Sequence, residues 1–176
     1  MSKSKQDEFL QLYEPVHERF ERFCRARVYG TMDFRDLMNE TLLVAFAKYE
    51  SLRSKDAFLS FLFGISVRIL RNHQQKRKEQ QLISERDDLI ADSGADSSES
   101  SDIANLYGAL SRLPDEQKEA VILFELSGFS IREIAGIQVS SESAIKQRLK
   151  RGREKLTEIL TFDATTINNE RAHEEE

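Results

Sequence analysis

Between Phe129 and Leu156 the chain reads FSIREIAGIQVSSESAIKQRLKRGREKL, the pattern of two helices joined by a tight turn. Ser130 precedes an apolar-periodic run and Glu133 follows three residues later. This is the capping-box pattern, in which a hydroxyl and a carboxylate satisfy backbone N–H groups that a helix start leaves open. Ile131, Ile134, Ala135 and Ile137 give that helix a short apolar face. After Gln138-Val139, Ser140-Ser141 offers a second N-cap, and Ile145, Leu149, Gly152, Leu156 and Ile159 recur at helical spacing. The opposite face carries Lys146, Gln147, Lys150, Arg151 and Arg153. A solvated surface helix would carry such charge too. A short helix, a tight turn and a basic second helix, however, form the layout that offers a helix N-terminus to the DNA major groove. Ser143 and Gln147, set among the cations, add side chains suited to phosphates and base edges.

Few breakers interrupt the 176 residues: 7 Gly and 2 Pro, with 39% hydrophobic residues. Little alternation of β-branched residues is present either, and the composition predicts an all-α chain. A net charge of −5 counts against nucleic-acid binding only when averaged. Basic residues gather at Arg68, Arg71, Lys76, Arg77 and Lys78 and again from Lys146 to Lys155, while acids crowd Glu85 to Asp102 and the final Glu174-Glu175-Glu176. Charges more than about 10 Å apart are largely screened at physiological salt, so the local field decides. Cys24, the only cysteine, permits no intrachain disulfide and sits among Phe20, Phe23 and Val28 as a core residue. His17, His73 and His173 are scattered, so neither a metal site nor a cofactor is expected. No stretch approaches the roughly 18 apolar residues of a membrane span, and the expected location is cytoplasmic.

Taken in order, apolar residues from Phe9 to Tyr29 predict a helix disturbed near Pro15, ended by Gly30. A second helix runs from Phe34 to Tyr49 with Leu37, Met38, Thr41, Leu42, Ala45, Phe46 and Tyr49 inward, and Asp36, Asn39 and Glu40 towards the other side. A third, from Asp56 to Lys78, turns Phe58, Leu62, Ile65 and Ile69 inward and Ser60, Arg68, Arg71, Asn72 and Gln75 outward; Gly64 within it marks either a close packing contact or a site where DNA approaches. The run from Ser84 to Asp102 is acidic, Ser-rich and too poor in apolar residues to offset its ordering entropy, so a flexible linker is expected. Ile103, Leu106, Tyr107, Leu110 and Leu113 then open a second helical group, and Pro114-Asp115-Glu116 suits the start of another helix. Beyond Leu160 the polar, acidic end is expected to fray. The expected organisation is two small helical domains, 9–80 and 103–160, a flexible acidic linker over 81–102, and a tail over 161–176.

This arrangement resembles the bacterial RNA polymerase sigma factors of the extracytoplasmic-function (ECF) branch. Asp36-Leu37-Met38-Asn39-Glu40-Thr41 matches that family's D-L-x-Q-E-T signature. Leu113-Pro114, the run Gly128 to Ala135, and Ile145 to Arg153 ending at Leu156 match the motifs of its C-terminal domain, in order and across the expected linker. Two departures stand out. Val139-Ser140 replaces the Gly and small apolar residue usual in the turn, and Ser66-Val67-Arg68 replaces an A-R-N in the third helix.

The resemblance implies a factor without catalysis of its own, which lends promoter specificity to core RNA polymerase and thereby directs transcription initiation. It places Asp36, Asn39 and Glu40 against the polymerase clamp. Arg68, Arg71, Asn72 and Lys76 fall beside the single-stranded minus-ten element, with Leu52 to Asp56 as a pocket rim. Ser141, Ser143, Lys146, Gln147, Lys150 and Arg151 are placed at the minus-thirty-five element. Phe58, Phe61 and Phe63 could stack on bases or belong to the core. Core RNA polymerase and promoter DNA are the implied partners, with an anti-sigma protein as a further candidate. A free-standing helix-turn-helix regulator, or a sigma-like pair that only sequesters a partner, would share these residues; promoter binding with and without core polymerase separates them.

Overall fold

Ser4 starts the first helix by the device read at Ser130: its Oγ accepts from the Asp7 N–H at 3.2 Å while the Asp7 carboxylate accepts from the Ser4 N–H at 3.2 Å. The resulting α1, Lys5–Tyr13, begins before Phe9, because a cap is built from polar residues that carry no hydrophobic signal. Pro15 falls in a 3-10 turn at Glu14–Val16, after which α2 runs His17–Val28. Asp33 caps α3, Phe34–Lys48, by accepting from the Arg35 N–H at 2.8 Å. A 3-10 turn at Lys55–Ala57 leads into α4, Phe58–Ile83.

The computed structural model describes residues 4–83 and 100–174, without the side chains of 81–83 and 166–174. The linker expected over 81–102 lies, for 84–99, outside the described residues; 81–83 and 101–102 are helical. The chain continues with α5, Ser101–Ser111, and α6, Asp115–Val121, which widens into a π-helical turn at Ile122–Leu126. Then come α7, Ile131–Gln138, and α8, Glu142–Glu174. Among the described residues there is no strand, as the composition predicts.

Aromatic rings organise the first four helices. Phe63 of α4 lies 4.4 Å from Phe23 and 5.6 Å from Phe20 of α2, centroid to centroid, and Phe9 of α1 meets Phe58 of α4 edge-on at 5.4 Å. Phe58 and Phe63 are buried, so of the two roles left open by the sequence the core claims both. Each ring removed from water is worth about 1.5–3 kcal/mol. Cys24 is buried beside them, and burial pushes its thiol well above the usual range.

The interior does not stop at the fourth helix. Phe63 also meets Phe129, just ahead of α7, edge-on at 4.8 Å, and Tyr29 meets Tyr107 of α5 at 5.8 Å. Arg19 of α2 donates to the Ser127 carbonyl and lies over the Phe129 ring. The groups α1–α4 and α5–α8 thus share one apolar cluster.

Two local expectations change. Of the two readings of Gly64, close packing fails, since a β-carbon there would meet nothing within 4 Å, and the approach of DNA is the one that stands untouched; the close approach within the fold is at Gly152 of α8, where a β-carbon would stand 2.7 Å from Val121 Cγ2. The segment after Leu160 continues α8 to Glu174. It holds neither Gly nor Pro, and Arg112, at the C-cap of α5, grips the Asp163 carboxylate with two 3.0 Å bonds from Nη1.

Candidate nucleic-acid interface

The start of α7 carries the capping box read from the sequence. Ser130 Oγ accepts from the Glu133 N–H at 3.3 Å, and the Glu133 carboxylate accepts from the Ser130 N–H at 2.8 Å. The Ser130 hydroxyl, donating to the same carboxylate at 2.7 Å, and then the Ser130 N–H hold the Glu133 carboxyl below its usual range. At the far end Val139 takes a left-handed conformation, φ 51°, with its side chain 81% exposed. This is the position at which the resemblance implies glycine, and the reversal is closed by the Ser140 N–H donating to the Ala135 carbonyl at 2.9 Å.

Ser141 then caps α8, its Oγ accepting from the Ala144 N–H at 3.1 Å. Ile145, Leu149, Gly152 and Ile159 are buried, Leu156 is half-buried, and Ser143, Lys146, Gln147, Lys150 and Arg151 stand exposed on the other side. Lys150 has a loose pair with Glu154 at 4.0 Å. Arg148 and Arg153 are tied down: Arg148 bonds Gln138 Oε1 at 2.9 Å and Glu116 at 2.7 Å, and Arg153 pairs with Glu125 at 2.7 Å. The outward row is therefore free to meet an anionic ligand, while Arg148 and Arg153 brace the helix against α6 and the turn after it.

On α4, Arg68, Arg71, Asn72 and Lys76 are exposed along one face. Arg71 reaches across to α7, its Nη2 donating to the Gln138 carbonyl at 3.0 Å and standing 3.9 Å from Glu119. The two candidate DNA-facing rows, far apart in sequence, thus approach each other at Gln138, three residues before Ser141.

Gln138 is the centre of a buried polar network that sequence reading missed. It is 2% exposed; its Nε2 donates to Glu119 Oε1 at 2.7 Å and to the Glu116 carbonyl at 3.3 Å. Glu119, 4% exposed, faces Arg27 of α2, 6% exposed, at 3.6 Å, and Arg27 also pairs with Asp115 at 3.3 Å. One signal was available: Arg27 lies in register with Phe20, Phe23 and Cys24, on the face that packs. Beside it Lys118 is buried, and loss of solvent followed by repulsion from Arg27 lowers its pKa. Arg27, Lys76, Arg77, Lys118 and Asp115 line a cleft of about 690 Å³ between α2, α4 and α6, a volume within the usual range of ligand sites.

Asp36 and Asn39 are exposed on α3, and Glu40 stands 3.1 Å from His73 of α4. One turn further on, Leu43 is 73% exposed, a large apolar side chain on the same side that the sequence reading did not single out. Leu52 is half-buried, and Ser54 Oγ caps the 3-10 turn by accepting from the Asp56 N–H at 3.3 Å. Among the described residues no group of His, Cys, Asp or Glu is arranged to hold a metal, and no helix is long and apolar enough to cross a membrane.

Residues 103–156 match the family Sigma-70, region 4. The chain is 32% identical over 131 residues to the ECF RNA polymerase sigma factor EcfG of Rhodopseudomonas palustris, covering 73% of this chain and 71% of that protein. It is 27% identical over 157 residues to the RNA polymerase sigma factor CarQ of Myxococcus xanthus, covering 88% and 90%. Among solved structures it is similar to the sigma factor RpoE in complex with the anti-sigma factor NepR from Bartonella quintana. That likeness has a TM-score of 0.78 at 27% identity and covers 89% of this chain and 98% of that one.

Proposed function

The chain belongs to the ECF RNA polymerase sigma factors, and from that premise we propose which of its surfaces meet the polymerase and which meet the promoter. As a sigma factor it binds core RNA polymerase and directs promoter-specific transcription initiation. It acts in the cytoplasm, where polymerase and chromosome are, and performs no catalysis itself; the polymerase makes the bonds, and this chain decides where they start.

The observation that carries the assignment is the division of α8 into a buried stripe and an exposed row of Lys146, Gln147, Lys150 and Arg151. Such a helix enters the major groove with its first turns, here at the minus-thirty-five element. Gln147 is placed to read base edges, Lys150 and Arg151 neutralise phosphates, and Ser141 and Ser143 sit where the helix dipole favours an anion. Because Ser141 Oγ already accepts the Ala144 N–H, only its O–H remains for a phosphate.

Arg68, Arg71, Asn72 and Lys76 form the cationic row for the minus-ten strand, which needs a charged track for its backbone. Asp36, Asn39 and Glu40 form the face for the polymerase clamp. Leu43 extends that face by an apolar side chain whose burial there would be worth about 1.5–3 kcal/mol. An anti-sigma protein is a third proposed partner: the relative from Bartonella quintana is held by one.

The decisive experiment is in-vitro transcription on a promoter library, with core enzyme alone and with this chain added. The expected result is a set of start sites that needs both components and that Lys150→Ala or Arg151→Ala weakens. Tight DNA binding without core enzyme, together with no initiation in its presence, would assign the helix to a free-standing regulator instead.

A further inference from the structure

We infer that in the free protein the carboxylates of α6 and the C-terminal end of α7 occupy the strand-facing side of α4, standing in for the phosphodiester backbone. The two halves of the molecule and the minus-ten strand would then compete for the same cations. This rests on the assignment of the α4 row to the minus-ten strand.

Cations of α2 and α4 point at α6 and at the end of α7. Arg71 donates to the Gln138 carbonyl at 3.0 Å and faces Glu119 at 3.9 Å, Arg27 faces Asp115 and Glu119 at 3.3 and 3.6 Å, and Gln74 donates to Asp115 at 2.8 Å. Anionic and carbonyl oxygens presented in a row by a neighbouring helix offer what a nucleic-acid backbone offers. Lys76, next along the α4 row, lines the cleft that opens between these helices. A strand laid along α4 would have to displace Gln138 from Arg71 and α6 from the rim of that cleft.

The contacts are also of a kind that can be exchanged. Their ion pairs lie at 3.3 to 3.9 Å, longer than good hydrogen bonds, and Arg27 Nε is buried without a hydrogen-bond partner. By contrast, the bonds within the α5–α8 half are short, 2.7 Å for Gln138 to Glu119 and 2.7 Å for Arg148 to Glu116. The two halves share an apolar cluster, and it is the long ion pairs beside α4 that are open to exchange. Binding to the polymerase, or to the promoter in its grasp, would open the seam rather than unfold either side.

Two matched perturbations test this. The double substitution Asp115→Asn with Glu119→Gln removes the negative charge while leaving an amide oxygen to accept from Gln138. Conversely, cysteines at Gln74 and Asp115, joined by a short bis-maleimide linker, hold the seam shut; native Cys24 is buried and out of reach. Small-angle scattering reads the opening, thermal melting checks the fold, and binding of a fluorescent random-sequence single-stranded oligodeoxynucleotide reads the exposed row. The expected result is a larger radius of gyration and about tenfold tighter oligonucleotide binding at low salt for the charge-neutralised protein, with both reversed in the cross-linked one. An opened variant that binds no tighter, or a cross-linked one that binds equally well, overturns the competition. Arg71→Ala and Lys76→Ala in the opened background keep the two questions apart. If they leave binding unchanged, the assignment of α4 to the strand has failed; if they weaken it while opening gave no gain, the competition alone has failed.

Discussion

Gly152 lies so close to Val121 that a β-carbon at 152 would stand 2.7 Å from Val121 Cγ2. This contact sets how deeply α8 seats on α6, and hence where its exposed row stands. Gly152→Ala gains about 1 kcal/mol of helix propensity but forces the helices apart, and overpacking typically costs about 1–3 kcal/mol. A lower melting temperature is expected, with weaker promoter binding at temperatures where the protein is still folded. A melting temperature above that of the parent protein would show that Val121 yields easily.

Val139 presents the opposite case. A β-branched residue at φ 51° costs about 1–2 kcal/mol, and its exposed side chain recovers little by packing. Val139→Gly should raise the melting temperature by about 2–4 °C, the equivalent of about 1 kcal/mol in a chain this size. Promoter binding should be unchanged, since the side chain points to solvent. Calorimetry and a gel shift with core enzyme check the two halves of the statement.

Lys150 and Leu149 are neighbours in sequence and should fail in different ways. Lys150→Ala should weaken binding to all promoters and reduce the salt dependence by about one counterion. Gln147→Ala should change preference at one base pair by about 1–3 kcal/mol. Leu149→Ala should cost about 2–5 kcal/mol of stability before any question of DNA arises. Circular dichroism melts beside binding isotherms separate them, and equal destabilisation by Lys150→Ala and Leu149→Ala would remove α8 from the groove.

On α3, Asp36→Arg and Leu43→Asp should each weaken capture of core polymerase by about tenfold or more, because one places repulsion and the other an unpaired charge where a partner must pack. Both side chains are exposed, so stability should move by no more than about 0.5 kcal/mol. Pull-down with core enzyme is the readout, and undiminished capture by both variants would place the clamp face elsewhere.

Lys118 is buried with its pKa lowered chiefly by loss of solvent. The unfolded chain therefore holds this proton more tightly than the folded one, so stability should rise with pH from the lowered pKa towards about 10.5. Lys118→Met should be more stable than the parent at neutral pH, with the advantage shrinking as the pH climbs through that window. Denaturant titrations at several pH values test the sign.

How much of this was legible beforehand differs by the range of the interaction. Phe58, Leu62, Ile65 and Ile69, and Ile145 and Leu149, are buried as their spacing predicts, because helical periodicity records which face meets a core. The caps at Ser130 and Ser141 were legible for the same reason: partner and acceptor lie three residues apart. Arg27 with Asp115, Phe63 with Phe129 and Arg71 with Gln138 were not, since periodicity identifies a face but not what covers it. The length of α8 escaped as well, because polar residues without Gly or Pro are compatible with both a helix and a frayed end.

The seam between the two halves is made of two materials. The rings of Phe63 and Phe129 and of Tyr29 and Tyr107 are held by the exclusion of water, which weakens on cooling, whereas the partly exposed Arg71 holds Glu119 by charge, which salt screens. A cold, salty solution loosens both at once and a warm, dilute one tightens both. The packing of the two halves, and with it the exposure of Arg71, should therefore follow temperature and ionic strength together, even with no other macromolecule present.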